Sequence, residues 1–156
     1  MDAGIRKVYL RPGELYVARE PAIISTVLGS CVSVTIHSGQ SGVSGMCHAI
    51  MPTKGVSFEE PAFHYVDCAV DYMMKVFNGL GTDNNEMVIK LFGGSDMLGR
   101  NERHQRNIGA QNVEMAKRVL HARGFSPRMS DTGGKLGRKI IFNTMTNEVF
   151  LKRIGV

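Results

Sequence analysis

Short runs in which apolar and polar residues alternate recur along the chain, and this period of two is typical of β-strands with one buried face. Glycine, proline, asparagine and serine separate the runs, as expected for turns between strands. The predicted strands cover 15–18, 22–28, 31–37, 42–48, 87–92, 125–130, 138–143 and 148–153.

Two longer segments instead place apolar residues at intervals of three and four, which is the spacing of a helix with one buried stripe. The first helix is predicted over 61–78, with Pro61 in its first turn and Gly79 just past its end. The second is predicted over 105–123, with Gly124 as the left-handed residue that stops it. The stripe of the first helix consists of Phe63, Val66, Val70, Met73 and Phe77.

The order of these elements favours an α+β fold. Several strands accompany only two long helices, and alternating βαβ units are absent, which argues against a doubly wound parallel sheet. At 156 residues, of which 43% are hydrophobic and 21% charged, the chain is long enough to bury a core of its own. No linker or repeat divides it, so we expect one domain over residues 1–156.

The composition indicates which cellular compartment and which classes of partner suit the chain. No apolar run approaches the roughly 18 residues that span a bilayer, and the first residues do not resemble a signal peptide. The three cysteines are odd in number and irregularly spaced, which favours a reducing cytoplasm over a disulfide framework. The net charge of +5 suits an acidic protein partner or an ordinary solvated surface, and we expect no nucleic acid because no binding motif accompanies the scattered basic residues.

Candidate chemistry lies on strands 31–37 and 42–48, which residues 38–41 connect. If those four residues form a hairpin loop, Cys31 stands opposite His48, with Cβ atoms about 4.5–5.5 Å apart. The alternation then gives the hairpin one apolar face and one polar face, and both residues lie on the polar face. We therefore expect a cysteine nucleophile paired with its base.

The expected pair needs a base close to the sulfur, because a cysteine attacks as its thiolate. His48 suits this role, since an unperturbed imidazole titrates near neutrality and can return the proton to a leaving amine. A third group commonly orients such a histidine. The hydroxyl groups nearby in sequence belong to Ser25 and Thr26.

The residues around Cys31 suggest which groups line the site. Gly29 permits a tight bend before Cys31, and the bend would free the backbone N–H groups of Ser30 and Cys31 to hold an oxyanion. Gly93 and Gly94 follow a predicted strand, where they could line a site that another backbone approaches closely.

Less specific uses of these residues remain open. A cysteine in a hairpin is often a small buried hydrophobe, and a nearby histidine is often structural. His64 and Cys68 have a possible metal-ligand spacing, but no CxxC or HExxH motif completes a site, so we expect no metal. Adjacent strand residues point to opposite faces, so Cys47 should face the core instead of sharing a site with His48.

Five short motifs, taken in order, resemble the chemoreceptor glutamine deamidase family, CheD. The similarity runs from about Leu15 to the end of the chain. The motifs are Leu28-Gly-Ser-Cys31-Val, Cys47-His-Ala-Ile-Met-Pro52, Lys90-Leu-Phe-Gly-Gly94, Ile108-Gly109, and Asp131-Thr-Gly-Gly134 with Gly137-Arg138.

The resemblance implies a cytoplasmic chemotaxis protein that acts as a protein-glutamine glutaminase. Such an enzyme hydrolyses selected glutamine side-chain amides of methyl-accepting chemoreceptors to glutamate and ammonia, without a metal or an organic cofactor. The resemblance also implies a three-layer α/β/β sandwich with mixed or antiparallel sheets, similar to toxin-type cysteine deamidases. The implied partners are exposed cytoplasmic helices of the receptors and a CheC-type response-regulator phosphatase.

For the site, the resemblance implies that Cys31 is the nucleophile and His48 its histidine. The third residue of the family is a threonine shortly before the cysteine, and its spacing falls on Ser25, with Thr26 next to it. The groove is expected to be lined by Gly29, Ser30, Phe92, Gly93 and Gly94.

Two other functions are compatible with the same residues. The chain could be a non-catalytic module that stimulates the CheC-type phosphatase, although a pure adaptor needs neither Cys31 nor His48. It could also be a cysteine peptidase or acyltransferase, because those enzymes use the same pair of residues with a different groove and leaving group.

Overall fold

A computed structural model describes residues 4–54, 62–97 and 107–155, and within those ranges the chain forms nine strands and two α-helices. The helices are α1 (Val66–Gly79) and α2 (Ile108–Ala122), and short 3-10 turns occupy Ala62–His64 and Asn84–Glu86. The strands are β1 (Arg6–Tyr9), β2 (Leu15–Ala18), β3 (Ala22–Leu28), β4 (Val32–Ser38), β5 (Val43–Cys47), β6 (Met87–Gly93), β7 (Met129–Thr132), β8 (Gly137–Asn143) and β9 (Glu148–Ile154).

The strands form two mixed sheets. The four-stranded sheet has the order β1-β3-β8-β9, and the five-stranded sheet has the order β2-β5-β4-β6-β7. Most neighbouring strands are antiparallel, but β1 runs parallel to β3 and β6 runs parallel to β7. Both parallel pairs therefore involve a short strand at the edge of its sheet.

Two hydrophobic clusters join the elements into three layers. In the first cluster, α1 and α2 pack on one face of the five-stranded sheet through side chains such as Val34 and Leu120. In the second, the opposite face of that sheet packs against the four-stranded sheet through side chains such as Met46 and Phe142. The α+β class is confirmed, and the layers follow the order helices, five-stranded sheet, four-stranded sheet.

The first predicted helix is present but begins later than expected. Tyr65 has an extended backbone and bridges to Met51, and this pairing separates the turn Ala62–His64 from α1. Tyr65 is therefore the residue that caps the start of the helix, and Phe63 lies outside α1. Gly79 is the last residue of the helix, not the residue after it, and Pro61 lies outside the described residues.

The second helix agrees with its prediction at the C-terminal end. Asn107 precedes it and accepts a hydrogen bond from the Ala110 N–H at 3.0 Å, which fixes its start at Ile108. Residues 105 and 106 lie outside the described residues. Gly124 has a φ of +83°, which confirms the predicted left-handed stop.

Two strand predictions differ from the structure. The edge strand β1 was not expected, because its short, largely exposed sequence carries no readable alternation. The strand predicted over 125–130 lies at Met129–Thr132, because Phe125 packs against the helix-side core and the chain joins β6 only afterwards. Elsewhere the predicted strands are present with bounds shifted by at most one residue.

Candidate active site

The hairpin formed by β4 and β5 carries the two candidate catalytic residues, and its register differs from the predicted one. Ser38 pairs with Val43, and the loop comprises residues 39–42. Gly42 closes that loop with a φ of +71° and donates its N–H to the Ser38 carbonyl at 2.9 Å. The left-handed conformation required at Gly42 moves the loop by one residue, and the register therefore shifts by two.

The predicted pairing of Cys31 directly opposite His48 is therefore wrong. Val32 pairs with Ala49, so Cys31 stands opposite Ile50 and diagonal to His48. A shift of two residues preserves the face on which every side chain lies. Cys31 packs against the cluster between the two sheets, and a long side chain on a diagonal position is still within reach of it.

The imidazole of His48 is 2% exposed and is held by Thr26 on the facing sheet. The Thr26 hydroxyl lies 2.6 Å from Nδ1 of His48 and donates its own proton to the Leu10 carbonyl at 2.7 Å. A hydroxyl has one proton to give, so it accepts the Nδ1–H of His48. Nε2 consequently carries the lone pair, and it has no hydrogen-bond partner among the described residues.

Burial keeps both members of the candidate pair uncharged. It lowers the pKa of His48 to about 4, although the Leu10 carbonyl and the charge of Glu14 act in the opposite direction. It also raises the pKa of the Cys31 thiol, while the backbone N–H of Cys31 lowers it. Burial therefore favours an uncharged thiol at Cys31 and a neutral imidazole at His48.

The structure brings Thr26, and not Ser25, to His48. Thr26 is completely buried between the sheets. Ser25 lies on the opposite face of β3, is half-buried, and pairs with Tyr9 and Ile141 across the neighbouring strands. Adjacent residues of one strand point to opposite faces, so only one of the two hydroxyls can meet the imidazole.

The turn before Cys31 is fixed through its carbonyl groups. The Gly29 carbonyl accepts from the Ser95 N–H at 3.0 Å, and the Cys31 carbonyl accepts from the Gly94 N–H at 2.9 Å. Between them, the Ser30 carbonyl accepts a bond from Nδ2 of Asn112 at 3.0 Å. Three consecutive carbonyls, those of Gly29, Ser30 and Cys31, are thus occupied.

The residues expected to line the groove lie immediately around this turn. A Cβ atom on Gly93 would overlap the Cys31 carbonyl, and the φ of Gly93 is +109°. The close approach of another backbone expected at this glycine is therefore present. Gly94 has a φ of +71° and touches the start of α2 at Gly109. Phe92 is buried between the two sheets, in the same cluster as Cys31.

The buried side chain of Arg138 supports residues 93–95, whose backbone binds the turn before Cys31. From the sequence, this arginine was named only as part of a motif. Arg138 donates to Asp131 at 2.8 Å, to the Ser95 hydroxyl at 2.7 Å and to the Gly133 carbonyl at 2.9 Å. Its side chain is 4% exposed, so these bonds satisfy a guanidinium that water does not reach. The motifs around residues 93–95 and 131–138 therefore form one structural unit.

The remaining cysteines lie apart from this arrangement. Cys47 is completely buried in the helix-side cluster, which confirms that it faces the core, and burial raises its pKa to about 12. Cys68 is on α1, beside Asp67. Within residues 4–54, 62–97 and 107–155, no three His, Cys, Asp or Glu side chains cluster closely enough to bind a metal ion. None of the helices in those ranges has the length and apolar character of a membrane span.

Comparison with known proteins agrees with the family indicated by the motifs. The model of the family described as CheD chemotactic sensory transduction matches residues 50–153. A probable chemoreceptor glutamine deamidase CheD 2 of Geobacter sulfurreducens is 42% identical over 95% of this chain and 90% of its own length. A probable chemoreceptor glutamine deamidase CheD of Maridesulfovibrio salexigens is 38% identical over 98% of this chain and 95% of its own length. The chain belongs to the CheD family.

Proposed function

We propose that this protein hydrolyses glutamine side-chain amides on chemotaxis receptors, with Cys31 as nucleophile, His48 as base and acid, and Thr26 as the residue that orients His48. The observation that carries the proposal is the 2.6 Å contact between the Thr26 hydroxyl and Nδ1 of His48. This contact fixes the tautomer that leaves Nε2 unprotonated on the face shared with Cys31. The names of the CheD relatives supply the substrate class.

The first half of the reaction forms a thioester. Nε2 of His48 removes the proton from the Cys31 thiol as the sulfur attacks the carboxamide carbon, and the amide π-electrons move to the oxygen. The N–H groups of Ser30 and Cys31 hold this oxyanion. When the carbonyl re-forms, the C–N bond breaks, and the imidazolium of His48 donates its proton to the departing nitrogen, which leaves as ammonia.

The second half hydrolyses the thioester. His48 takes a proton from a water molecule while the water oxygen attacks the thioester carbon. The C–S bond then breaks, and the imidazolium returns the proton to the sulfur of Cys31. One amide and one water give one carboxylic acid and one ammonia, and the thiol and the neutral imidazole are restored.

The neutral state of the site is consistent with this mechanism. Burial disfavours charge on both Cys31 and His48, so the proton moves from the thiol to the imidazole only as the sulfur attacks a bound amide. A thiol that remains protonated in the absence of substrate is also less exposed to oxidation. The site needs no metal or organic cofactor for these steps.

Three wider features belong to the same proposal. The protein works in the cytoplasm, where its thiols remain reduced and where receptor helices are accessible. Its three layers are arranged as in toxin-type cysteine deamidases. It also binds a CheC-type phosphatase, and its net charge of +5 would favour an acidic surface on either partner. Catalysis ranks above a purely regulatory role, because an adaptor has no use for the Thr26–His48–Cys31 arrangement.

The decisive experiment compares the wild type, Cys31→Ala and Cys68→Ala on purified cytoplasmic fragments of the receptors. Ammonia release and the mass change from glutamine to glutamate are measured together. We expect Cys31→Ala to abolish both signals and to retain binding to the fragments, while Cys68→Ala behaves as wild type.

Two outcomes would contradict the proposal. Unchanged ammonia release by Cys31→Ala would exclude this thiol as the nucleophile. Cleavage of the receptor backbone by the wild type, without conversion of glutamine, would identify a peptidase that uses the same residues.

A further inference from the structure

We propose that Asn112, on α2, is a positioning residue that fixes the distance between the strand segments carrying Cys31 and His48. Its side-chain amide donates one N–H to the Ser30 carbonyl at 3.0 Å and the other to the Ile50 carbonyl at 2.8 Å. Ser30 immediately precedes the nucleophile, and Ile50 follows the histidine by two residues. The inference rests on the proposed function, because it assigns Asn112 to the geometry of that site.

The two bonds lie where the backbone ladder between the two segments ends. Val32 and Ala49 exchange two backbone hydrogen bonds of 3.0 Å, and they form the last backbone pair before the nucleophile. Beyond them, the amide of Asn112 joins the two segments. A side chain thus continues the connection between the two segments beyond the last backbone pair, through bonds to Ser30 and Ile50.

Asn112 acts from behind the sheet. It projects from α2, whose buried residues pack on the helix-side face of the five-stranded sheet, whereas Cys31 packs in the cluster on the other face. The amide therefore does not share the space in which the substrate reacts. Its effect on catalysis must pass through the backbone of the two segments.

The two N–H donors of Asn112 explain why a polar side chain occupies this buried position. The residue is completely buried, and its Oδ1 has no hydrogen-bond partner among the described residues. Leaving a buried polar atom unpaired costs free energy, and the two donated bonds offset that cost. An amide provides two N–H donors in one plane, whereas a carboxylate of the same shape provides none.

Loss of this bridge should misplace the reacting groups more than it weakens substrate binding. A displacement of about 1 Å in a catalytic group can lower a rate by about a hundredfold. We therefore expect Asn112→Ala to lower kcat by about tenfold to a hundredfold, with KM changed by less than about twofold. Asn112→Asp should fall at least as far, because its carboxylate faces two carbonyl oxygens.

The matched controls are on the same helix. Leu120 is completely buried and lies two turns further along α2 than Asn112. Leu120→Val and Leu120→Ala should lower the melting temperature by different amounts. Asn112→Ala can then be compared with a Leu120 variant of similar melting temperature. The wild type and the four variants are assayed for kcat and KM on receptor fragments well below their melting temperatures.

A fall in kcat that is confined to the Asn112 variants, at equal loss of stability, supports the positioning role. The same fall in a Leu120 variant of equal melting temperature overturns it, since general loosening of α2 would then account for the effect. Unchanged kcat in Asn112→Ala overturns it as well.

A second measurement does not depend on deamidase activity. In a Cys68→Ala background, iodoacetamide alkylation of Cys31 is followed against pH by peptide mass mapping. Opening of the ladder in Asn112→Ala should expose the sulfur, so alkylation should be faster and should titrate at a lower pH than in the parent. If Cys31→Ala retains activity, the proposed function fails, whereas an unchanged alkylation profile contradicts the role of Asn112.

Discussion

The Thr26 hydroxyl joins the Leu10 carbonyl and Nδ1 of His48 in one hydrogen-bond chain, with distances of 2.7 and 2.6 Å. A backbone carbonyl only accepts, so the direction of the chain is determined: His48 donates to Thr26, and Thr26 donates to Leu10. Thr26, on the four-stranded sheet, thereby determines which ring nitrogen of His48, the residue after β5, carries the proton. Thr26 has this influence because it is fully buried and makes no competing contact with water.

Removal of the Thr26 hydroxyl should impair catalysis. Thr26→Val keeps the shape of the side chain but leaves the Nδ1–H of His48 buried without an acceptor. We expect kcat to fall by about tenfold to a hundredfold, the loss typical when a group that orients a metal-binding histidine is removed, and the free energy of unfolding to fall by about 1–3 kcal/mol. Ammonia release and urea denaturation measure the two effects.

Two further variants separate the hydroxyl from the packing around it. Thr26→Ser retains the hydroxyl and should recover most of the rate. Ser25→Ala should stay within about twofold of wild type, because Ser25 lies on the outer face of β3. A larger effect of Ser25→Ala than of Thr26→Val would contradict the assignment.

The free energy of unfolding should fall as the pH is lowered from 6.5 to about 4, because burial keeps His48 neutral in the folded protein. Burial lowers the pKa of His48 from 6.5 to about 4. The unfolded chain therefore binds more protons than the folded one between these values, so stability rises with pH in this window and is lost as pH falls through it. The full effect is about 3 kcal/mol at 1.36 kcal/mol per pKa unit.

The control for this prediction is His48→Gln, which cannot titrate. His37 also has a lowered pKa, chiefly through burial, and contributes a slope of the same sign. The difference between wild type and His48→Gln isolates His48. Urea denaturation at pH values between about 4 and 7 measures it, and equal slopes in the two proteins would show that His48 is not held neutral.

The face on which each residue of the hairpin lies could be predicted from sequence, whereas the exact pairing could not. Alternation fixes the face, and an error of two residues leaves the faces unchanged. The pairing depends on the left-handed turn at Gly42, and the sequence offered several glycine and serine positions at which the loop could close. The prediction therefore put Cys31 and His48 on the same face, but it paired them directly opposite, whereas the structure places them diagonally.

The residues that support the site were harder to predict, because they act over long separations in the chain. On β3, Ile24 and Leu28 share one face with Thr26, while Ile23 and Val27 share the other with Ser25, so both faces contain apolar residues. Alternation therefore does not show which hydroxyl is buried. The bond from Asn112 to Ser30 joins residues 82 positions apart, so no local sequence pattern predicts it.

The rate of deamidation should show no titration step near the ordinary pKa of histidine. The neutral thiol and neutral imidazole are the reactive state, and the lowered pKa of His48 together with the raised pKa of Cys31 widens the pH range in which it dominates. We expect kcat/KM to be flat from about pH 5 to pH 8, with an acid limb governed by His48. Ammonia release at constant ionic strength measures the profile, and a step near pH 6.5 would indicate a histidine that water reaches.

Substitution of Gly93 should disrupt the site and the fold together, because its backbone leaves no space for a side chain. Gly93 has a φ of +109°, and an added Cβ would overlap the Cys31 carbonyl. We expect Gly93→Ala to lower the free energy of unfolding by more than about 3 kcal/mol, since steric overlap adds to backbone strain. Gly81→Ala is the control for a left-handed backbone without steric overlap: its φ is +73°, and no atom lies within 4 Å of the added Cβ. That variant should lose only about 1 kcal/mol and keep full activity, so equal losses in the two proteins would mean that strain alone, without the contact to Cys31, explains the requirement for glycine.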